Sequence, residues 1–213
     1  MKIEIRDLLP SFFPETRKSS SEIWGSQLVF EKGEYIKIVA PSGSGKTSFM
    51  HFLYGLRPDY DGSIYYNQEN IRDYSAEDFA KKRSNSISLV LQDLRLFPEQ
   101  TVFENIEIKR QLNPFHPKQK ITEMCERLGI AERLHAKCKN CSYGEQQRVA
   151  IIRALMQPYD FLLLDEPFSH LDEKNSQLAM QLMDEESKAR GAAIIFADLE
   201  RIDYFPQTRL FHL

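Results

Sequence analysis

Residues 40–48 read Ala40-Pro41-Ser42-Gly43-Ser44-Gly45-Lys46-Thr47-Ser48, after a compact apolar run and at the start of a predicted helix that ends at Gly55. A loop of small residues between a buried strand and a helix is the context that a phosphate-binding loop requires. Its backbone N–H groups can turn toward an anion, and the helix N-terminus adds partial positive charge. Lys46 is predicted to reach the β- and γ-phosphates, and the Thr47 hydroxyl to ligate Mg²⁺. This stretch therefore predicts a site for a nucleoside triphosphate with Mg²⁺.

The first position of this loop departs from the usual pattern. Most such loops begin with glycine, whereas this one begins with Ala40. Alanine is small, and only a positive φ would demand glycine, so we expect the loop to keep its shape. A functionless glycine-rich turn is the alternative, and the flanking strand and helix argue against it.

Apolar runs elsewhere predict a parallel sheet in an α/β fold. Tyr35–Ala40, Phe161–Leu164 and Ala192–Ala197 carry few charges, as strands buried on both faces do. Leu171–Arg190 is predicted to be a long amphipathic helix, and residues 97–158 are mostly helical in pattern, broken at 113–114 and 129. The order of these elements places a helical insert inside the parallel sheet.

The N-terminal part of the chain predicts shorter strands. Lys2–Asp7 alternates like an edge strand, and Asp61-Gly62 indicates a hairpin turn. The remaining predicted elements are a loop at Pro10–Ser21 and strands at Gln27–Glu31, Ser63–Tyr66 and Ile87–Leu91.

Two acids close the apolar strand that begins at Phe161. Asp165 at its tip is predicted to hold the Mg²⁺ shell. Glu166 would then accept a proton from an attacking water. A solvent-facing charged strand end is the alternative, but Pro167 and Phe168 follow at once and the strand is fully apolar.

A second helix start lies at Cys141-Ser142-Tyr143-Gly144-Glu145-Gln146-Gln147-Arg148-Val149-Ala150. Ser142 is a predicted N-cap, and Glu145 three residues later completes a capping box. The start of this helix is a second anion-binding end. One chain rarely needs two such ends for one nucleotide.

This run resembles the signature sequence of ATP-binding cassette (ABC) proteins, which is usually Leu-Ser-Gly-Gly-Gln followed by Gln-Gln-Arg. The other family motifs follow in order: residues 40–48 look like Walker A, Gln92 like the Q-loop glutamine, 161–166 like Walker B, and Ser169-His170-Leu171-Asp172 like the D-loop. The resemblance covers nearly the whole chain and is strongest to compact bacterial cassettes of the lipoprotein-release, macrolide-efflux and cell-division types.

The resemblance implies a P-loop NTPase fold with an ABC-type antiparallel β edge and a helical subdomain. Residues 1–213 would form one ABC domain, with 1–91 and 159–213 as a RecA-like core and 92–158 as the subdomain that carries the signature. An unrelated small P-loop kinase is another class of protein that a phosphate-binding loop allows. The signature run 142–148 argues strongly against it.

The resemblance also implies the site residues and cofactors. ATP and Mg²⁺ would be bound, with Glu166 and Gln92 as catalytic residues and Thr47, Gln92 and Asp165 at the metal. Two cassettes would pair head to tail, so that each nucleotide lies between one chain's loop and the other chain's signature. The implied nucleotide-binding set is Ala40, Pro41, Ser42, Gly43, Ser44, Gly45, Lys46, Thr47, Ser48, Ser142, Gly144, Glu145 and Asp172.

As for partners, the resemblance implies a transmembrane permease on a separate chain and a second cassette, expected to be an identical copy. The protein would be cytoplasmic and peripheral on the inner face of the membrane. The alternative is an ATP-gated dimerising regulator with weak or no hydrolysis. The transported substrate is not indicated.

Three positions depart from the family pattern. Tyr143 replaces a glycine and adds bulk, and Glu145 replaces glutamine and adds a negative charge that would weaken pairing if it faced the phosphate. Ala197 stands where the family usually has the histidine of a Thr-His-Asp run. A lost contact of that kind costs on the order of 3 kcal/mol, or about a hundredfold in rate. We therefore expect slow hydrolysis. Phe12 and Phe13 are candidates to stack on adenine, or to be core residues.

Composition excludes other classes. The formal net charge is −3, which does not favour nucleic-acid binding, and no apolar run approaches the length of a membrane span. The three cysteines indicate no disulfide framework. His135, Cys138 and Cys141 are spaced by three, but a triplet without a fourth ligand is a weak metal signal, and half-buried structural residues are the simpler interpretation.

Overall fold

The computed structural model describes residues 1–199, 205 and 208–213. The strands are β1 Lys2–Pro10, β2 Gln27–Glu31, β3 Tyr35–Val39, β4 Tyr60–Tyr66, β5 Glu69–Asn70, β6 Ile87–Val90, β7 Phe161–Asp165, β8 Ala193–Asp198 and β9 Arg209–His212. The α-helices are α1 Lys46–Leu53, α2 Ala76–Asn85, α3 Val102–Leu112, α4 Gln119–Arg127, α5 Tyr143–Leu155 and α6 Glu173–Arg190.

The strands form two sheets. One sheet is parallel, in the order β6-β7-β8-β3-β9, and the other is antiparallel, in the order β2-β1-β4-β5. The parallel strands alternate between two buried clusters: Leu163 and Ile195 face α1 and the antiparallel sheet, whereas Leu162 and Ile194 face α5 and α6. Burial of both faces explains their nearly uncharged sequences and confirms the predicted fold. No helix among the described residues is long and apolar enough to cross a membrane.

The prediction that Lys2–Asp7 forms an edge strand was wrong. β1 lies inside its sheet, between β2 and β4, with both of which it pairs antiparallel. Ile3 and Ile5 are fully buried, while Glu4 between them and Arg6 after them are not. The alternation therefore reports one solvated face of the sheet and not an open edge.

The predicted hairpin turn at Asp61-Gly62 was also wrong, because β4 runs unbroken through both residues. Gly62 has φ +83, and a Cβ there would lie 2.4 Å from the carbonyl oxygens of Arg6 and Asp7. The pairing of β1 with β4 is irregular at that point, between Arg6 and Leu9. The glycine thus allows the irregular part of β1 to approach β4 closely. Glycine in strands commonly serves such close approaches as well as turns.

The segment 97–158 contains helices α3, α4 and α5 with short 3₁₀ turns at Ala131–Arg133 and Cys138–Asn140. Helix α5 packs against α3, α4, α6 and β6. Cys138 and Cys141 are buried, and the Cys138 sulfur lies 3.2 Å from the Asn105 amide nitrogen. The division into a core and a helical subdomain stays a prediction. Helix α2, capped by Ser75 and Asp78, strand β9 and the short strand β5 were not predicted.

Candidate functional site

The loop between β3 and α1 has the conformation that its glycines allow. Gly43 and Gly45 have φ of +77 and +100, a region that residues with a Cβ seldom adopt. Gly45 is the N-cap of α1 and has no side chain to bind the first N–H groups of the helix. These N–H groups are therefore open to an anionic ligand. Ala40, at the position usually held by glycine, is buried and is not among the residues with positive φ.

The Lys46 ammonium lies inside this loop. Its side chain is only 5% exposed, and Nζ donates to the carbonyl oxygens of Ala40, at 2.8 Å, and Pro41, at 3.2 Å. The Glu166 carboxylate, beyond the end of β7, is 3.5 Å from the same nitrogen. A buried ammonium beside the open N-terminus of α1 is suited to bind an anion with several negative charges.

A chain of polar contacts joins the loop to the carboxyl end of the sheet. The Thr47 hydroxyl donates to Gln92 Oε1 at 3.4 Å, and Gln92 Nε2 donates to Glu166 Oε2 at 3.2 Å. Glu166 has φ +47, an uncommon value for a residue with a side chain. This strained position ends the strand and turns the carboxylate toward Lys46 and Gln92.

Asp165 is buried without a hydrogen-bonding partner among the described residues. Its side chain is 1% exposed, and neither carboxylate oxygen accepts a hydrogen bond of normal geometry, although, against the larger effect of burial, the nearby Thr47 hydroxyl lowers the pKa of this carboxyl. Burial raises the pKa of Asp165 to about 6. Two orphaned carboxylate oxygens near a hydroxyl and an amide oxygen are an oxygen donor set of the kind that Mg²⁺ prefers.

Two phenylalanines complete the pocket at the loop. Phe12 and Phe13 line it together with Gly45, Lys46 and Thr47, and Gln92 and Glu166 form another wall. Phe12 is 53% exposed, and its ring faces the Arg57 guanidinium at 5.3 Å. The predicted role of these rings in adenine stacking stays a prediction.

The signature segment has the predicted capping box. Ser142 Oγ accepts from the Glu145 N–H at 3.3 Å, and Glu145 Oε2 accepts from the Ser142 N–H at 2.7 Å. Arg133 Nε donates to Glu145 Oε1 at 3.0 Å. Although burial opposes its ionisation, the Ser142 N–H and the Arg133 guanidinium hold the pKa of Glu145 below its ordinary value. The Glu145 charge is thus engaged within its own chain.

The start of α5 touches the segment that resembles the D-loop. A Cβ on Gly144 would lie 2.8 Å from the His170 carbonyl oxygen, so only glycine fits without a shift. The Tyr143 ring meets the His170 ring edge-on at 4.2 Å, and its hydroxyl donates to the Gln92 carbonyl oxygen at 3.2 Å. Asp172 caps α6 through the Asn175 N–H at 2.8 Å.

Sequence reasoning gave no role to Gln147, which links these segments. It is 2% exposed, its Nε2 donates to the Glu166 carbonyl oxygen at 3.1 Å, and its Oε1 accepts from the His170 N–H at 3.1 Å. The ion pair of Arg133 with Glu145 was not predicted either. A polar residue on the buried side of α5 was the available signal for Gln147; the Arg133 contact crosses twelve residues and left no local pattern.

The structure therefore brings the predicted residues into two groups. The first surrounds the loop 40–48 and includes Gln92, Asp165 and Glu166. The second contains Ser142, Gly144, Glu145 and Asp172, and among the described residues none of its members lines the pocket at the loop. Each group could supply half of a nucleotide site. The assignment of individual site residues stays a prediction.

Ala197 lies in β8 directly beside Asp165 of β7. It is fully buried, and its carbonyl oxygen accepts from the Glu166 N–H at 3.0 Å. Its methyl group offers no polar contact to a ligand, and the missing γ-phosphate contact expected at this position stays a prediction.

Comparison with known proteins agrees with this geometry. The family model described as "ABC transporter" matches residues 25–169. A lipoprotein-releasing system ATP-binding protein, LolD, from Idiomarina loihiensis is 32% identical over 168 residues, which are 78% of this chain and 74% of that protein. A macrolide export ATP-binding/permease protein, MacB, from Nitrosomonas europaea is 31% identical over 196 residues, 91% of this chain but only 30% of that protein.

Two solved structures that share the fold are also cassettes. The dimeric structure of MJ0796, described as a bacterial ABC transporter cassette, has a TM-score of 0.80 at 24% identity and covers 99% of this chain and 94% of its own. A dimeric post-hydrolysis state of the same cassette, with ADP and Pi, also has a TM-score of 0.80, at 23% identity, covering 93% of this chain and 88% of its own. The predicted fold is confirmed by both.

The similarity to the lipoprotein-release and macrolide-export proteins confirms that part of the predicted resemblance. With the family match across 25–169 and the loop, strand-end and signature groups all present, this chain belongs to the ABC transporter family as an ATP-binding cassette.

Proposed function

We propose that this chain binds ATP with Mg²⁺ at the loop 40–48, hydrolyses it, and thereby drives a membrane permease. The observation that carries the proposal is the polar cluster at the loop: a buried lysine, a hydroxyl, an amide and two carboxylates, one of them buried, converge beside an uncapped helix N-terminus. Positive charge from Lys46 and the free N–H groups of α1 would hold the phosphates.

Thr47, Gln92 and Asp165 are the residues proposed to hold Mg²⁺. When bound, the ion would neutralise phosphate charge and polarise the bond that breaks. The two unpartnered, buried oxygens of Asp165 support this assignment, because a buried carboxylate without a partner is costly unless a cation compensates it. The Thr47 hydroxyl and Gln92 amide already lie within 3.4 Å of each other at the same place.

Glu166 is proposed to accept the proton of the attacking water. Its carboxylate is exposed to the pocket, and Gln92 Nε2 fixes one of its oxygens at 3.2 Å. A carboxylate held by an amide in this way leaves a second oxygen to align a water against the γ-phosphate. In this structure that second oxygen faces Lys46, which we expect to turn to the phosphates when they bind.

The second half of the site is proposed to come from another cassette. Ser142, Gly144 and Glu145 lie outside the pocket at the loop, as a head-to-tail arrangement requires. The solved relatives are named as dimers, and the LolD and MacB relatives are named for lipoprotein release and macrolide export. We propose an identical second copy, a permease partner, and a position on the cytoplasmic face of the membrane.

Hydrolysis is proposed to be slow when the cassette is alone. The buried methyl of Ala197 cannot supply the γ-phosphate contact that a histidine would make. The relatives named above favour transport over an ATP-gated regulator.

Steady-state ATPase activity of the purified chain tests the enzymatic part. The wild-type protein should release phosphate slowly, and Glu166→Gln should lower the rate by about a hundredfold or more without weakening ATP binding. Equal rates for the two proteins would remove Glu166 from the mechanism. A fast wild-type rate would overturn the role given to Ala197, and co-purification with only soluble partners would overturn the permease assignment.

A further inference from the structure

Trp24, the single tryptophan of the chain, lies behind the phosphate loop. It precedes β2 in sequence and is 1% exposed. Its indole N–H donates to the Ser44 carbonyl oxygen at 3.2 Å, a buried contact between segments twenty residues apart. A buried hydrogen bond of this kind meets little competition from water and fixes its acceptor firmly.

The same indole sets the space around the next residue. A Cβ added to Gly45 would lie 2.9 Å from Trp24 Cζ2 and 3.2 Å from Phe13 Cε2. Trp24 is itself held by ring contacts, edge-on to Phe49 at 5.7 Å and to Phe13 at 6.3 Å. Phe49 belongs to α1, the helix that the loop opens, so the indole braces both the loop and its helix.

The contact determines which way one peptide group faces. In a trans peptide the C=O and the following N–H point in opposite directions. The Ser44 carbonyl points at Trp24, and therefore the Gly45 N–H points away from it. Gly45 lines the pocket together with Lys46 and Thr47, so that N–H is available to a phosphate.

We propose that Trp24 is a positioning residue of the nucleotide site, which holds the Ser44–Gly45 peptide with its N–H toward the phosphates. The proposal rests on the nucleotide site proposed above and adds to it a residue that touches no nucleotide. Loss of the indole N–H would free the Ser44–Gly45 peptide to rotate. Nucleotide binding would then have to fix the orientation of this peptide, which lowers affinity.

Isothermal titration with ADP tests the proposal without requiring turnover. Trp24→Phe keeps a buried ring but removes the donor, and we expect ADP affinity to fall roughly five- to tenfold, as expected for one lost hydrogen bond. Phe30→Leu is the matched control, because Phe30 is fully buried and packs on the same Phe49 ring at 6.5 Å. It should lower the melting temperature while changing ADP affinity less than about twofold.

Two results would overturn the proposal: unchanged ADP affinity in Trp24→Phe, or an equal loss in both variants, which would make the indole a packing residue only. Failure of the wild-type protein to bind ADP would instead overturn the proposed nucleotide site itself.

The fluorescence of the wild-type chain gives a second test, whose main readout needs no substitution of Trp24. All tryptophan emission comes from Trp24, so ADP should change it with a midpoint equal to the dissociation constant from titration. Lys46→Ala should abolish the change. Emission that stays constant at saturating ADP, or a midpoint that differs from the dissociation constant, would contradict coupling between the bound nucleotide and the indole.

Discussion

Helices α1 and α5 both begin at a segment expected to meet phosphate, but their first turns are satisfied in different ways. Helix α1 starts at Gly45, which has no side chain to bind the helix N–H groups. Helix α5 starts at Ser142, where a reciprocal capping box with Glu145 binds two N–H groups. A helix N-terminus without a cap can bind an anionic ligand directly. In a helix with a capping box, the carboxylate of the box already occupies that place.

The difference indicates an order of events. The loop at α1 offers positive charge and free donors in the isolated chain, so nucleotide binding should begin there. The start of α5 already carries the Glu145 carboxylate, paired with Arg133. It should therefore contribute only when a second cassette brings a γ-phosphate to it.

Lys46→Ala should have the largest effect on the open end. Removal of the buried ammonium leaves the phosphates without their main counter-charge, and ADP affinity should fall by about a hundredfold or more. Isothermal titration measures this directly. Lys81→Ala is the matched control, because the Lys81 side chain is 66% exposed and forms a surface ion pair with Glu77; it should leave the affinity unchanged. Similar affinities for both variants would show that nucleotide does not bind at this loop.

Gly144→Ala should damage the capped end alone. The new Cβ would lie 2.8 Å from the His170 carbonyl oxygen, so the start of α5 or the adjoining segment must shift. We expect ATPase activity to fall by about tenfold or more, since displaced binding groups lose catalytic geometry. Alanine favours helix over glycine, so helix loss would not explain the result. ADP affinity, measured in the same protein, should stay at the wild-type value; a parallel loss would contradict the separation of the two half-sites.

Asp165→Asn should stabilise the nucleotide-free protein in a pH-dependent way. Burial raises the pKa of Asp165 from its ordinary value of 3.8 to about 6. Between these two pH values the carboxyl is protonated in the folded state and ionised in the unfolded state. Stability contributed by this proton is complete below about pH 4 and is lost as the pH rises through about 6. The asparagine variant should therefore gain about 1–3 kcal/mol above pH 6 and nothing below pH 4.

Urea unfolding at several pH values measures this gain, with Asp73→Asn as the control at an exposed site. A gain that is independent of pH would rule out the buried charge as its cause. Loss of Mg²⁺-dependent ATP binding in Asp165→Asn would accompany the stabilisation.

Glu145→Gln should have the smallest effect and an opposite sign. Glutamine retains the capping box, and the Arg133 partner is 49% exposed, so stability should change by less than about 1 kcal/mol. Removal of the negative charge should strengthen ATP-driven pairing roughly two- to fivefold at low salt. Analytical ultracentrifugation with ATP, in protein that also carries a substitution that prevents hydrolysis, measures this dimerisation. Glu132→Gln, at an exposed position, is the control. Weaker pairing in Glu145→Gln would mean that the carboxylate is needed at the interface.

The two ends also differ in how far the sequence predicted them. The loop, the β7 carboxylates and the Ser142 capping box depend on residues close together in the chain, and each was predicted at its correct position. The Arg133 contact with Glu145 and the Trp24 contact with Ser44 join distant segments through tertiary packing. No local pattern encodes such contacts. The Asp61-Gly62 error has a related cause, because the positive φ of Gly62 serves a bulge in another strand.

The most direct test of two half-sites is complementation between damaged chains. Lys46→Ala and Gly144→Ala each spoil both sites of a homodimer, but a mixed dimer pairs the intact loop of one chain with the intact signature of the other. An equal mixture should recover about a quarter of the wild-type ATPase rate, since half of the dimers are mixed and each has one complete site. A mixture no more active than the average of the two separate variants would contradict a nucleotide shared between two cassettes.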